Sequence, residues 1–95
     1  MRQYELTFIV RPDVEAEGLT AVVDKVKSLV THGGGQVADV NVWGRRHLAY
    51  PIDKVTEGQY VFMRTQLTAQ MVGGLERDLR LTEQILRFLI VRADE

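Results

Sequence analysis

Arg45, Arg46 and His47 form the densest group of chemically active side chains in this sequence. They stand between Gly44 and Pro51, and no Asp or Glu lies beside them in that stretch. Guanidinium and imidazole groups donate hydrogen bonds that suit phosphate oxygens. Because no neighbouring carboxylate offsets them, we expect these side chains to bind phosphate rather than to stabilise the fold.

The sequence lacks the patterns that catalysis or metal binding requires. It contains no cysteine and two histidines, His32 and His47, which stand far apart, and its carboxylates show no ligand spacing. The run Gly33–Gly35 follows a predicted helix, whereas phosphate-binding glycine loops precede one. We therefore predict a protein that is not an enzyme and that has no catalytic residues, metal site, cofactor or small-molecule substrate.

Length and charge restrict the function further. The 95 residues are expected to form one domain over 1–95, and 12 Lys and Arg against 13 Asp and Glu give a net charge of −1. A protein that binds nucleic acid alone usually carries a basic excess, so RNA binding would need a local patch and help from a partner. No stretch is apolar over the ~18 residues of a membrane span, and the N-terminus lacks a signal-peptide pattern. We expect a cytoplasmic protein without a membrane partner.

Hydrophobic periodicity predicts six elements in the order β-α-β-β-α-β. Apolar and polar residues alternate in the predicted strands, and apolar residues recur every three or four positions in the predicted helices. The predicted strands cover residues 3–10, 36–52, 59–67 and 85–91, and the predicted helices include residues 19–30 and 69–81. Gly44 suggests an interruption of the second strand, and residues 53–58 are expected to form a polar hairpin loop. This order is typical of a ferredoxin-like α+β sandwich, with two helices on one face of a four-stranded antiparallel sheet.

Strand alternation also predicts an exposed apolar face on this sheet. The side that the helices are expected to cover carries Leu6, Phe8, Val61, Met63, Phe88 and Ile90. The opposite side carries five large apolar residues, namely Ile9, Tyr60, Phe62, Leu89 and Val91. A monomer rarely leaves such a patch in water, so we expect either a protein there or RNA bases stacked on the aromatic rings. The alternative is that the alternation is misjudged by one residue or that sheet twist scatters the patch.

Further cationic residues lie outside the first segment. Lys54 belongs to the predicted hairpin loop, Arg2 opens the first strand, and Arg87 and Arg92 belong to the last strand. The predicted fold brings together strand ends that are distant in the chain. Arg2, Arg87 and Arg92 are therefore candidates for a second basic patch.

Three segments resemble one known family. The nonamer Gly44–Ile52 is the most specific of them, and Met1–Glu5 and Glu57–Val61 support it. They resemble the family of the sixth protein of the bacterial small ribosomal subunit, and the resemblance covers essentially the whole chain. The family implies a ferredoxin-like protein of the cytoplasmic ribosome that binds the central domain of the small-subunit ribosomal RNA. It implies that the protein does so as a heterodimer with the eighteenth small-subunit protein, a small basic partner.

Residues that match the family become candidates for two kinds of contact. The candidates for RNA contact are Arg2, Tyr4, Arg45, Arg46, His47, Tyr50, Lys54, Arg87 and Arg92. The candidates for the interface with the partner protein are Ile9, Tyr60, Phe62, Leu89 and Val91. His47 stands where some relatives are expected to have arginine or glutamine, so its role stays open.

Two other classes of function occur on the same fold. One is a ligand-sensing regulatory domain that dimerises through its open sheet face. Such domains carry glycine-centred loops at strand–helix junctions, whereas the glycine cluster here lies at a helix exit. The other is a hydrolase of the acylphosphatase type, which is disfavoured because the loop after the first strand, Arg11–Val14, is not glycine-rich. The resemblance therefore favours the ribosomal function.

Overall fold

The computed structural model describes residues 1–93 and contains the six predicted elements in the predicted order. They are β1 (Arg2–Val10), α1 (Ala16–His32), β2 (Gln36–Ile52), β3 (Val55–Leu67), α2 (Ala69–Arg80) and β4 (Ile85–Arg92). The four strands form one antiparallel sheet in the order β2-β3-β1-β4. Both helices pack against one face of this sheet. The architecture is a ferredoxin-like α+β sandwich, which confirms the prediction.

The hydrophobic core lies between the helices and one face of the sheet. The strands supply every second residue to it, and the helices supply the apolar stripes that their spacing predicts. Its fully buried or nearly buried members include Leu6, Phe8, Val61 and Met63 from the sheet and Val22, Val23, Val26, Val30, Leu75 and Leu79 from the helices. Phe88 and Ile90 pack at its margin. Since burying one such side chain contributes ~1.5–3 kcal/mol, the alternation fixes which face the helices cover.

A tight turn joins β2 to β3, in place of the loop predicted over residues 53–58. β3 begins at Val55, which pairs with Ile52, so the turn consists of Asp53 and Lys54. Both residues have positive φ, 49° and 65°, as the two-residue turns that match strand twist require. Glycine or asparagine usually marks such a turn, and an Asp-Lys pair gave no such signal. The predicted loop is therefore wrong.

The β2–β3 hairpin projects beyond the end of β1. β1 pairs with β3 as far as Val10, which lies opposite Gln59. Residues 45–58 extend past this point, and we call them the hairpin arm. The arm carries the basic segment of Arg45, Arg46 and His47.

Candidate nucleic-acid and protein interface

The face of the sheet away from the helices, which we call the open face, exposes apolar side chains. Tyr60 and Phe62 project from β3 and are half-buried, while Leu89 and Val91 project from β4. Leu89 is 62% exposed and Val91 is 46% exposed. These four predicted interface residues therefore share one face and are accessible from it.

Ile9, the fifth predicted interface residue, lies on the open face but is buried. It is 9% exposed, and Leu48 and Tyr50 of the hairpin arm line a cavity of about 120 Å³ together with it. Gly58 lies so close that a Cβ atom there would collide with Ile9 Cγ2. The prediction of an exposed Ile9 is wrong, because strand alternation gives the side of a residue but not what folds over it.

Trp43 lies on the open face, although the sequence pattern predicted no contact for it. Its ring is nearly parallel to those of Tyr60 and Phe62, with centroid distances of 6.4 Å and 5.9 Å. The pairing of β2 with β3 shifts between Val42 and Gly44, and Gly44 has a φ of 84°. This bulge leaves the extra residue, Trp43, over the aromatic pair. The signal was present in the Trp-Gly pair within a strand pattern, but a bulge alone does not tell which face gains the side chain.

A row of charges crosses the open face beside the aromatic rings. Arg64 of β3 lies opposite both Glu5 of β1 and Asp39 of β2. Its guanidinium nitrogens are 4.0 Å from a Glu5 carboxylate oxygen and 3.6 Å from one of Asp39. Two carboxylates against one guanidinium leave this row with a net negative charge. Exposed pairs of this kind add little stability, so the consequence is an acidic border to the apolar patch.

The basic segment of the arm does have a carboxylate partner. Glu57 lies opposite His47 in the hairpin. One of its oxygens is 3.4 Å from Arg45 Nη1, and the other is 3.9 Å from His47 Nε2. The expectation that no acidic residue offsets these side chains is wrong. Strand pairing brings Glu57 next to them, although it lies ten or more positions away in the sequence. Arg45 also donates through Nη2 to the Pro12 carbonyl oxygen at 2.6 Å.

Arg46 and Lys54 differ from Arg45 in their surroundings. Arg46 lies opposite Gly58, so its side chain projects toward the open-face side of the arm, away from Glu57. Its guanidinium donates to the Arg45 carbonyl oxygen at 3.1 Å, and no carboxylate within residues 1–93 forms an ion pair with it. Lys54 occupies the turn and is exposed, and it too has no ion pair in this part of the chain. These two side chains can offer their charge to a phosphate.

Arg87 of β4 meets Tyr50 of the arm across the open face. Arg87 Nη1 donates to the Tyr50 hydroxyl oxygen at 2.8 Å. The guanidinium carbon also lies 5.5 Å from the centroid of the Tyr50 ring. Both residues were predicted to contact RNA, and the structure brings them into contact with each other.

Arg2, Tyr4 and Arg92 lie at the opposite end of the sheet. Tyr4 pairs with Arg92, whereas Arg87 pairs with Ile9. Five residues of strand separate Arg87 from Arg92, which corresponds to ~16 Å. Arg87 therefore does not join Arg2 and Arg92 in the predicted second patch. Tyr4 packs against the core and is half-buried.

Residues 1–93 contain neither a metal site nor a membrane-spanning helix. No three His, Asp or Glu side chains come together there as metal ligands would. Neither helix of this range, α1 or α2, has the length and the apolar composition of a membrane span.

Comparison with known proteins identifies the family. The family model described as Ribosomal protein S6 matches residues 3–92. Small ribosomal subunit protein bS6 of Moorella thermoacetica is 44% identical over 95 residues, which are 100% of this chain and 97% of that protein. The protein of the same name from Clostridium acetobutylicum is also 44% identical, over 100% of both chains. The crystal structure of 30S ribosomal protein S6 from Thermotoga maritima matches with a TM-score of 0.91 and 32% identity, over 97% of this chain and 87% of that one.

These relatives are named as ribosomal proteins rather than enzymes, in agreement with the prediction. The chain belongs to the ribosomal protein S6 family of the small ribosomal subunit.

Proposed function

We propose that this chain binds the central domain of the small-subunit ribosomal RNA as one half of a heterodimer with the eighteenth small-subunit protein. As a member of the S6 family, it is a component of the small subunit of the cytoplasmic ribosome. In the proposal, the open face binds the partner protein and the hairpin arm binds RNA. The observation that carries it is the position of Arg46, whose basic side chain borders the exposed aromatic patch of an otherwise near-neutral protein.

The aromatic patch supports the protein half of the proposal. Trp43 is 48% exposed even though it stacks on two rings, and Leu89 extends the apolar surface onto β4. Aromatic side chains at the centre of a patch are the residues that contribute most to protein binding. The carboxylates of Glu5 and Asp39 at its border favour a partner that is basic. A second protein of positive charge would also supply phosphate neutralisation that a net charge of −1 does not.

The arm supports the RNA half of the proposal. Arg46 and Lys54 carry charges that no carboxylate within residues 1–93 neutralises, and both are exposed. Contacts of this type to phosphate oxygens orient a protein on RNA without reading its sequence. His47, Arg2, Tyr4 and Arg92 stay predicted RNA contacts. The side chain of His47 lies near the Glu57 carboxylate, which also forms an ion pair with Arg45.

A salt titration of RNA binding tests this proposal. The chain and its partner protein are mixed with the central-domain RNA, and the binding constant is measured at several salt concentrations. Each phosphate contact contributes about one unit to the slope of log affinity against log salt. The double variant Arg46→Ala with Lys54→Ala should therefore lower the slope by about two units.

Lys25→Ala is the matched control for this titration. Lys25 is exposed on α1, which lies on the other side of the sheet. Its replacement removes the same charge without touching the arm, so the slope should stay that of the unmodified chain. A chain that forms no complex with partner and RNA, or a double variant with an unchanged slope, would overturn the proposal.

A further inference from the structure

We propose that Tyr50 and Arg87 form a latch that holds the hairpin arm against the open face, so that Arg87 positions the RNA-binding side chains instead of contacting RNA. The effect on RNA binding rests on the proposed function. The latch itself is a property of the isolated chain and is tested without RNA.

The latch exists because the two strands of the arm differ in length. Between the pairs His47–Glu57 and Ile52–Val55, four residues of β2, 48–51, lie opposite the single residue Thr56 of β3. The surplus backbone of β2 must leave the plane of the hairpin. Leu48 and Tyr50 lie over Ile9 on the open face, which shows the direction it takes. Tyr50 thereby reaches Arg87 on β4, although β3 and β1 lie between β2 and β4.

The contact with Arg87 fixes the position of the Tyr50 side chain, which is not fixed by burial. Tyr50 is 56% exposed, so packing alone leaves its ring free to turn. The Arg87 guanidinium donates to its hydroxyl and also lies against its ring, and these are two favourable interactions from one residue. Pro51 adds to them, because the residue before a proline is restricted to extended backbone. The arm is therefore fixed at Tyr50 by chemistry specific to these two residues.

The other side of the arm is tied to the loop between β1 and α1. Arg45 donates to the Pro12 carbonyl oxygen at 2.6 Å, and Arg11 lies 3.5 Å from the Asp53 carboxylate. These contacts hold one side of the arm, and the latch holds the side that faces the partner surface. Since Arg46 and Lys54 belong to the same arm, their positions relative to the aromatic patch depend on the contacts to this loop and on the latch.

Amide hydrogen exchange of the isolated chain tests the latch directly. Arg87→Ala and Tyr50→Phe should each speed the exchange of amides in residues 45–58, by about three- to tenfold for Arg87→Ala and by less for Tyr50→Phe, which keeps the ring. The double variant should exchange no faster than Arg87→Ala, because the hydroxyl acts only through Arg87. Amides of Leu6 and Met63, which pair in the middle of the sheet, should not change.

Arg80→Ala is the matched control for the exchange experiment. The Arg80 guanidinium also lies over an aromatic ring, that of Phe88 at 5.8 Å, but it does not touch the arm. Its replacement should leave exchange in residues 45–58 unaltered. If Arg87→Ala also leaves it unaltered, or if the effects of Arg87→Ala and Tyr50→Phe add, the latch does not exist.

The salt dependence of RNA binding separates positioning from contact. Tyr50→Phe keeps every charge in place, so its effect on affinity comes through the position of the arm. With partner and RNA present, both Tyr50→Phe and Arg87→Ala should weaken binding by about two- to fivefold with an unchanged salt slope. Arg87 would instead be a phosphate contact if Arg87→Ala lowered the salt slope by about one unit and Tyr50→Phe left the affinity unchanged. A chain that does not bind RNA at all would refute the proposed function, while the exchange data would still decide the latch.

Discussion

Arg45 lies 3.4 Å from Glu57 across the hairpin, although 12 positions separate the two residues in the sequence. The same guanidinium donates to the Pro12 carbonyl oxygen, so the donors of Arg45 are largely used within the protein. The next residue, Arg46, projects from the other side of the strand and has no carboxylate partner within residues 1–93. Two neighbouring arginines thus have separate tasks, one in holding the arm and one in offering charge to a ligand.

Replacing each arginine by alanine should separate these tasks. Arg45→Ala removes a charged hydrogen bond and an exposed ion pair, and it should lower the free energy of unfolding by about 1 kcal/mol. Arg46→Ala removes no ion pair, and the one hydrogen bond it removes is exposed and joins neighbouring residues, so the free energy of unfolding should change by less than ~0.5 kcal/mol. Urea unfolding followed by circular dichroism measures both. Equal losses of stability in the two variants would contradict the assignment of Arg45 to the fold.

Gly58→Ala should disturb the packing of the arm against the sheet. A Cβ atom at Gly58 collides with Ile9 Cγ2 and comes within 3.6 Å of Leu48 Cδ2. Ile9 is buried, so it has little room to move away, and overpacking of this kind costs ~1–3 kcal/mol. The free energy of unfolding should fall by that amount, and amide exchange in residues 45–58 should become faster. A variant as stable as the unmodified chain would show that the arm does not rest closely on Ile9.

Gly73→Ala should have the opposite effect. Gly73 is exposed in the interior of α2, and a Cβ atom there meets nothing within 4 Å. Because alanine favours the helix over glycine by ~0.5–1 kcal/mol, the free energy of unfolding should rise by about that amount. The same urea titration measures it. A loss of stability would mean that the backbone at Gly73 needs a conformation that alanine does not adopt.

Local sequence patterns predicted the strands and helices and which of their faces are buried. They did not predict contacts between segments that are distant in the sequence. The apolar alternation in β1 and β3 is repeated at every second residue, which is why it identified the buried face correctly. The burial of Ile9 depends on surplus residues in β2 that fold over it, and alternation holds no information about them. In the same way, the pairing of Glu57 with Arg45 depends on the register of a turn without glycine. The position of Trp43 depends on a bulge whose side the sequence does not specify.

Phe62→Asp should strongly weaken binding of the basic partner protein and leave the fold intact. Phe62 is half-buried on the open face and stacks on Trp43 at 5.9 Å. Loss of that stack costs ~0.5–1.5 kcal/mol of stability, which a folded domain tolerates. A carboxylate in the centre of the interface must lose its water when the partner docks, so we expect affinity to fall at least ~30-fold, as at other central aromatic positions.

The fluorescence of Trp43 measures this binding without a label, since it is the single tryptophan of the chain. Docking on the open face should remove water from its ring and move its emission to shorter wavelength. Leu81→Asp is the matched control, because Leu81 is 72% exposed after the end of α2 and not on the sheet. That variant should bind the partner as the unmodified chain does. If Phe62→Asp binds equally well, the partner docks elsewhere, and if it unfolds, Phe62 belongs to the core and the assignment of the open face is wrong.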